Sequence, residues 1–563
     1  MGGSHAGWGK NTTESWSEMD RWSRPGPAAH QTTQFNAKTR RLAVLLPACF
    51  SALVVLAVIL NCSTGGYWTP PKSTATLPTE IAFLLSPAPA TYFAPTPYPP
   101  VEGTSTPLVS DPVALTPSPT QAAINTAPIL YYTQAADTLP VVAVRFGVQP
   151  EQISSPEPLP ATSLLPPNQL LIIPRVIANT TASQHLLPDS ELVNSPSTTD
   201  FDIEAFVRQA GGKLGTYQEW LKSSGVNTGA QLIQRVATEN SINPRILLSL
   251  LEYSSHWVYG EPTNAIEETY PMGLVDLNQK GLYRQLVWAV NQLSIGYYSW
   301  REGRLTEIRF KDGLAARIAP DLNAGSAALQ YYFAQIYDAP GWVAALDLQQ
   351  GLPALHERMF GSPWQRAQAV EPLYPPGLTQ PPLSLPFEKG KVWSFTGGPH
   401  GAWEHEGSYA ALDFAPPSGQ PGCVESKAWV TASASGLVVR SGNGVVVLDL
   451  DGDGYEQTGW VLLYLHVSND SSVPIGTWMD TGTPLGNPSC EGGTATGTHV
   501  HIARKYNGEW IAADGPMPFV LSGWVAHAGD MAYKGTLTRG EEVVIACTCS
   551  SRSTFIALSE NDP

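Results

Sequence analysis

The strongest constraint on this chain is an uncharged apolar run near its N-terminus. The run LAVLLPACFSALVVLAVIL covers residues 42–60, 19 positions without a charge, and at about 1.5 Å per residue it spans the hydrocarbon core of a bilayer. Lys38, Arg40 and Arg41 precede it, and the next basic residue is Lys72. Because basic residues are retained on the cytoplasmic side, the pattern predicts a single-pass cell-membrane protein whose later domains are extracytoplasmic.

Two other interpretations apply to this run. A cleaved signal peptide is one, but 41 mainly polar residues precede the run, which is long for the leading region of a signal. A lipid anchor at Cys62 is the other, but Asn61 lies where a lipoprotein signal carries a small residue. A retained transmembrane helix over 42–61 remains the expectation.

The length of 563 residues is several times that of an ordinary domain, so the chain must divide into several units. Gly and Pro supply 50 residues each and charged residues only 14%, which favours turns and β-structure. The net charge of −16 disfavours nucleic acid as a partner.

The predicted segments are a cytoplasmic tail (1–41), the transmembrane helix (42–61), a Pro/Thr-rich linker (62–126), a small α+β module (127–176), a linker (177–199), an all-α domain (200–372), a Pro-rich linker (373–386), a mostly antiparallel β domain (387–535) and a C-terminal β extension (536–563).

The small module has the order strand, turn, apolar helical stretch and closing strand. Seven of its residues match the DTL motif and the ending of LysM modules: Asp137, Thr138, Leu139, Asn168, Leu171, Ile172 and Pro174. The segment resembles a LysM module, which implies binding to the N-acetylglucosamine-containing glycan of peptidoglycan. Ala136 stands where that family usually has glycine, and a structural module without a ligand is the alternative.

The segment 200–372 has apolar residues at helical spacing and is predicted to be all-helical. Within it, INPRILLSLLEYSSHW faintly resembles the helix of lysozyme-like lytic transglycosylases that carries a general acid, and the resemblance implies that role for Glu252. No second carboxylate in a recognisable context accompanies it, so a structural role for Glu252 is the favoured interpretation.

Between 387 and 535, short β-type runs alternate with Gly and Pro turns. His499 and His501 are two positions apart on one such run, so both imidazoles point to the same face of a strand. His400 and Asp413 could add a nitrogen and an oxygen from upstream. His400, Asp413 and His501 then form a three-ligand set with a fourth position open, as in a catalytic zinc site. Core histidines or a pH-sensitive pair are the alternatives.

This part of the chain resembles the M23 peptidases of the lysostaphin and β-lytic type, which cut peptide bonds in bacterial peptidoglycan. The matching motifs are GGPH, DFAPP, YLH and GTATGTHVH. Most of that family places the first metal histidine four residues before the aspartate, where this chain has Tyr409. The β-lytic branch has a longer insert, which implies His400 as the first ligand, with His405 as the alternative.

The resemblance also implies a mechanism. Asp413 and His501 complete a zinc site, where a water molecule has its pKa lowered to about 7 and the scissile carbonyl is polarised. His466 and His499 are the catalytic histidines that do not bind metal. His499 is assigned as general base and His466 as the group that orients water or stabilises the oxyanion, although the two roles could be exchanged.

Besides Cys62, four cysteines follow the membrane run in the predicted oxidising compartment, and none has zinc-type CxxC spacing. Since the resemblance places Cys423 and Cys490 in loops at the rim of one site, we predict that they form a disulfide. Cys547 and Cys549 are only two positions apart, so a bridge between them is expected to be strained.

An acidic stretch between two β-runs, DLDGDG at 449–454, begins like a calcium-binding loop. Position twelve of an EF-hand would be Trp460, so that assignment fails, and the stretch is interpreted as an acidic turn. A partial calcium site that includes Glu456 is the alternative.

Together these features predict a membrane-anchored, extracytoplasmic zinc metalloendopeptidase that acts on peptidoglycan cross-links and also binds its glycan. One alternative is a catalytically inactive M23-like protein that binds peptidoglycan and regulates other wall hydrolases. A bifunctional hydrolase with a lysozyme-like helical domain is the other.

Overall fold

The structure is a computed structural model that describes residues 127–403, 407–549, 551–560 and 562. The predicted cytoplasmic tail, membrane helix and Pro/Thr-rich linker, and also His405, lie outside the described residues. Within these ranges, no helix combines the length and hydrophobicity needed to cross a membrane. The described residues all belong to one compact unit.

The small module is an antiparallel strand pair with a helix packed on it. Strand β1 (Ile129–Tyr132) pairs with β2 (Leu170–Ile173), and helix α1 (Leu139–Phe146) lies between them in sequence. The side chain of Thr138 accepts a hydrogen bond from a backbone N–H in the first turn and so caps α1. Ala136 has a φ of +65°, a left-handed conformation that favours glycine, which is the residue LysM modules usually have there.

The middle region is mainly helical. Its helices are α2 (Ile203–Ala210), α3 (Lys213–Thr216), α4 (Gly229–Asn240), α5 (Pro244–Ser255), α6 (Ala265–Thr269), α7 (Leu282–Arg301), α8 (Ala324–Ala334), α9 (Ala339–Ala345), α10 (Leu352–Phe360) and α11 (Pro363–Ala367). The prediction of an all-α domain was wrong in one respect, because two short antiparallel hairpins interrupt the helices. They are β3 (Gln218–Leu221) with β4 (Gly225–Thr228), and β5 (Glu307–Arg309) with β6 (Ala315–Arg317). Strands of three or four residues are too short for a periodic pattern to reveal.

The C-terminal region is mostly antiparallel β-structure. Its strands are β7 (Val392–His400), β8 (Ala411–Ala415), β9 (Val430–Thr431), β10 (Gly436–Gly442), β11 (Val445–Asp449), β12 (Trp460–Leu465), β13 (Trp478–Met479), β14 (Pro484–Gly486), β15 (Val500–Tyr506), β16 (Glu509–Trp510), β17 (Val520–Leu521), β18 (Trp524–Ala528), β19 (Gly535–Arg539), β20 (Glu542–Ile545) and β21 (Phe555–Ala557). The main sheet has the order β13-β10-β11-β12-β15-β8-β7-β21, with β16 paired to β15. A second sheet has the order β17-β18-β19-β20, and β14 pairs with β9.

The two faces of the main sheet bury different cores. Alternate strand residues face a core within the β-region, among them Leu412, Val446, Leu462 and Ile502. The intervening residues belong to a core shared with the helices, among them Ala411, Val447, Leu463 and Ala503. The helices therefore pack on one face of the main sheet and continue its core.

Polar contacts reinforce the packing of the helices on the sheet. The side chain of Ser241 donates a hydrogen bond to the backbone carbonyl of Gly508 at 2.7 Å. Arg301 of α7 forms a buried ion pair with Glu509 of β16 at 3.1 Å. Because unpairing one partner of a buried ion pair is costly, these contacts favour one fixed arrangement.

The two segments predicted as linkers in this part of the chain are packed rather than extended. Leu187 and Leu192 of the segment 177–199 are buried in the core shared with the helices. Leu385 of the segment 373–386 is buried in the core of the β-region. The composition of these segments predicted an absence of regular structure, but it did not predict that some of their leucines are buried in the cores.

Candidate metal and acid–base site

Three neighbouring strands bring the predicted metal ligands together. Asp413 in the middle of β8 lies directly opposite His501 near the start of β15. On the other side of β8, Asp413 is paired with Gly397 of β7, and His400 ends that strand. The antiparallel register therefore places side chains 101 positions apart, at 400 and 501, on either side of one carboxylate.

A β-bulge and a glycine shape the β7 side of this cluster. The register shifts between Gly397 and His400, so three steps on β7 oppose two on β8. Such a bulge redirects a side chain, and here His400 reaches the carboxylate of Asp413. A Cβ atom at Gly397 would collide with that carboxylate. The first glycine of the GGPH motif therefore makes room for Asp413.

Backbone carbonyls orient both ligand imidazoles. Nδ1 of His400 donates to the carbonyl of Gly398 at 2.8 Å, which leaves its Nε2 with a free lone pair. Nε2 of His501 donates to the carbonyl of Ala402 at 3.0 Å, which leaves its Nδ1 free. A carbonyl that holds one ring nitrogen and frees the other is the usual outer shell of a metal-binding histidine.

The three free donor atoms converge. Nε2 of His400 and Nδ1 of His501 are 3.0 Å apart, and each is 3.3 Å from Oδ1 of Asp413. Oδ1 of Asp413 is buried without a hydrogen-bond partner among the described residues. Ligands about 2.0 to 2.1 Å from a tetrahedral zinc ion lie about 3.3 Å from each other. The donor set and its spacing therefore fit a zinc-sized cation.

The electrostatics of the cluster agree with this fit. Burial raises the pKa of Asp413, but the neighbouring His400 outweighs it and the net pKa lies well below the usual range. Burial lowers the pKa of His400, but Asp413 outweighs it and the net pKa is raised. The pKa of His501 is lowered, mainly by burial. The negative charge of the Asp413 carboxylate is balanced either by a proton on His400 or by a cation among the three donor atoms.

The two predicted catalytic histidines lie beside the ligands. His466 follows β12 and His499 precedes β15, with ring centroids 4.4 Å apart. Nε2 of His499 is 3.8 Å from Oδ1 of Asp413. Burial and the neighbouring His499 and His501 lower the pKa of His466 to about 3, so its ring is neutral at ordinary pH and one of its nitrogens can accept a hydrogen bond.

The sequence did not reveal one aromatic neighbour of the site. The ring of Tyr533 stacks on His400 with centroids 4.1 Å apart. Tyr533 lies in the turn between β18 and β19, 32 positions after His501, and its backbone carbonyl accepts from the N–H of Gly398. No spacing rule links that turn to the site, so the contact could be found only from the fold.

Two other candidate sites have structural explanations. Oε2 of Glu252 accepts hydrogen bonds from the backbone N–H groups of Val258 and Tyr259, at 2.9 and 3.0 Å, and so holds the turn that follows α5. This contact favours the structural role for Glu252 over that of a general acid. Glu456, the fourth carboxylate of the partial calcium site, forms ion pairs with Arg440 at 3.0 Å and Lys505 at 3.1 Å instead.

The acidic stretch itself is organised by its own backbone. Asp449, Asp451 and Asp453 have carboxylates close together, and each accepts a hydrogen bond from a backbone N–H two residues later in the chain. Side chains of this kind stabilise tight turns. The geometry therefore agrees with the acidic turn expected from the sequence.

The four described cysteines form two disulfides. Cys423 and Cys490 form a disulfide with Cα atoms 5.9 Å apart, which confirms the predicted pair. Cys547 and Cys549 also form a disulfide, with Cα atoms 5.1 Å apart.

Comparison with known proteins points to the peptidase class. Residues 185–374 match the family described as "LasA, N-terminal domain". "Protease LasA" of Pseudomonas aeruginosa (strain UCBPP-PA14) is 24% identical over 337 residues, which cover 56% of this chain and 72% of that protein. "Beta-lytic metalloendopeptidase" of Achromobacter lyticus is 29% identical over 166 residues, 28% of this chain and 41% of that protein. The chain is similar to M23 peptidases. These relatives support a hydrolase of the peptidase class.

Among solved structures, the M23 metalloprotease pseudoalterin from the deep sea is 25% identical. The alignment covers 30% of this chain and 96% of that one, with a TM-score of 0.26. The match to the LasA N-terminal domain covers most of the helical region.

Proposed function

We propose that this chain is a zinc-dependent endopeptidase that hydrolyses the peptide cross-links of bacterial peptidoglycan. The observation that carries the proposal is the convergence of three free donor atoms, from His400, Asp413 and His501, at the spacing of a tetrahedral metal site. The similarity to a protein named beta-lytic metalloendopeptidase supports the reaction class.

In the proposed reaction, some residues of the site bind the metal and others transfer protons. Zinc held by Nε2 of His400, Oδ1 of Asp413 and Nδ1 of His501 would supply a Lewis acid to the scissile carbonyl and to a water molecule. His499 takes the proton that this water loses, at the Nε2 that its ring leaves free when Nδ1 donates to the carbonyl of Gly497 at 2.7 Å.

The neutral ring of His466 supports the same step. Its Nδ1 donates to the carbonyl of Glu491 at 2.8 Å, which leaves Nε2 pointing to the site as an acceptor. In this state Nε2 accepts a hydrogen bond from the water and orients it; in the exchanged assignment, Nε2 takes the proton that the water loses in place of His499 and then donates it in a hydrogen bond to the developing oxyanion.

The test is metal content measured beside hydrolysis of cross-linked peptidoglycan for the purified wild-type protein. We expect about one zinc per chain and release of new amino termini, both lost on treatment with a chelator and restored by zinc. A protein that binds peptidoglycan but holds no zinc and releases no amino termini would instead support the inactive regulatory alternative.

We further propose that the chain is held at the cell membrane by the helix over 42–61 and on glycan by the LysM-like module. The support is the uncharged run with its basic flank and the strand, helix and strand order of the module. The intact protein should remain in membranes after a carbonate wash, whereas a chain starting at residue 63 should be released. Recovery of a shortened natural form without the run would indicate cleavage instead.

A further inference from the structure

The backbone of His466 has to be held in place by its neighbours. Its φ is +66°, in the left-handed region that a residue with a Cβ atom rarely adopts. Ser489 holds it through two bonds to the His466 carbonyl, from the backbone N–H at 2.6 Å and from Oγ at 3.1 Å. The carbonyl of Glu491 fixes the ring. The segment 489–491 therefore sets both the backbone and the imidazole of His466.

A second segment holds His499. Oγ1 of Thr498, the preceding residue, donates to the carbonyl of Val424 at 2.6 Å and accepts from its N–H at 2.9 Å. The N–H of Thr498 also donates to the carbonyl of Gly422 at 3.2 Å. The segment 422–424 therefore fixes the chain immediately before His499.

A disulfide joins these two segments. Cys423 is the middle residue of 422–424 and Cys490 is the middle residue of 489–491, and they are bonded to each other. We propose that the Cys423–Cys490 disulfide is a positioning element for the acid–base chemistry, because it covalently links the segments that hold His466 and His499 face to face. This inference rests on the proposed endopeptidase function.

The metal-binding half of the site does not depend on this link. The carbonyls that orient His400 and His501 belong to Gly398 and Ala402, outside both disulfide segments. Asp413 is held within the main sheet by pairing on both sides. Loss of the disulfide should therefore disturb proton transfer and leave metal binding intact.

The experiment removes each disulfide in turn from the full-length protein. The test variant is Cys423→Ser/Cys490→Ser, and the matched control is Cys547→Ser/Cys549→Ser, which breaks the other disulfide. For both, kcat, KM and zinc content are measured, together with the ¹⁵N NMR signals of the histidine Nδ1–H groups in ¹⁵N-histidine-labelled protein. The signals of His466 and His499 are assigned with His466→Ala and His499→Ala.

For the test variant we expect kcat to fall by about 10-fold to 100-fold, since small misplacements of catalytic groups cost factors of this size. KM should stay within about threefold and zinc content should be unchanged. The Nδ1–H signal of His466 should broaden or disappear through exchange with water. The control variant should match the wild type in all four measurements.

Unchanged kcat in the folded test variant would overturn the inference, and so would a fall in kcat with both Nδ1–H signals intact. If the double variant does not fold, Thr498→Val removes the bonds to Val424 while keeping the disulfide. That variant should lower kcat by about 3-fold to 10-fold at constant zinc content, and an unchanged kcat would reject the inference. An inactive wild type would overturn the proposed function, and the NMR signals would then decide the positioning role alone.

Discussion

The two halves of the site are built differently. The metal-binding half rests on paired strands, where Asp413 in the centre of β8 is flanked by β7 and β15. The acid–base half rests on strand ends and loops, where His466 and His499 are held by a few hydrogen bonds and a disulfide. A sheet fixes its residues through many ladder bonds at once, whereas a loop depends on a few named contacts. The metal-binding half should therefore lose its function only when a ligand is removed. The acid–base half should lose function when any of several contacts that hold its histidines is lost.

The largest expected effect separates the halves by metal content. Changing His400, Asp413 or His501 to Ala leaves two protein ligands, so zinc should be lost and activity should fall by more than about 10⁴-fold. The assay is metal analysis beside peptidoglycan hydrolysis. His527→Ala is the matched control, because that histidine lies on β18 and bonds to Thr538 instead of the site. Full zinc content in a folded His400→Ala variant would break the assignment of His400 as a ligand.

The second effect concerns the acid–base half. His466→Ala and His499→Ala should keep zinc and lower kcat by about 10² to 10⁴-fold, since each removes a group that transfers a proton or stabilises the oxyanion. Measuring kcat and zinc content on the same samples distinguishes this outcome from the first. Loss of zinc in either variant would contradict the division of the site into a metal-binding half and an acid–base half.

A third prediction asks whether the helical region contributes to hydrolysis. Glu252→Gln weakens the acceptor that holds the N–H groups of Val258 and Tyr259, so the free energy of unfolding should fall by about 1 kcal/mol. Hydrolysis should stay within about twofold of the wild type. Denaturant unfolding and separate assays for cut peptide bonds and cut glycan strands test this. Selective loss of glycan cleavage would revive the bifunctional alternative.

The smallest expected effect is that of His405→Ala. His405 is the alternative first ligand, eight residues before Asp413, and it lies outside the described residues. Since His400 already completes the cluster with His501, this change should leave zinc content and kcat within about twofold of the wild type. If His405→Ala loses zinc while His400→Ala keeps it, the two assignments must be exchanged.

Much of the site could be predicted from the sequence alone. The period of 2 in THVH correctly placed His499 and His501 on one side, because alternate residues of a strand share a face. The motif resemblance pointed to His400 and Asp413, and the structure brings both to His501. Loop position within that resemblance was also enough to pair Cys423 with Cys490.

Other features were decided only by the tertiary structure. The stacking of Tyr533 on His400, and the carbonyls of Gly398, Ala402 and Glu491 that set the ring nitrogens, depend on chain segments far apart in sequence. No local pattern encodes such contacts, because a backbone carbonyl is present at every position and only the fold decides which one faces an imidazole.

The packing of the helices shows the same division. Periodicity identified helical segments such as α7, but not that they would share a core with one face of the main sheet. It also missed the burial of Leu187 and Leu385 in segments whose composition resembles that of a spacer. Sequence patterns record which side of an element is apolar. The partner that covers that side is chosen by the shape and register of the assembled fold.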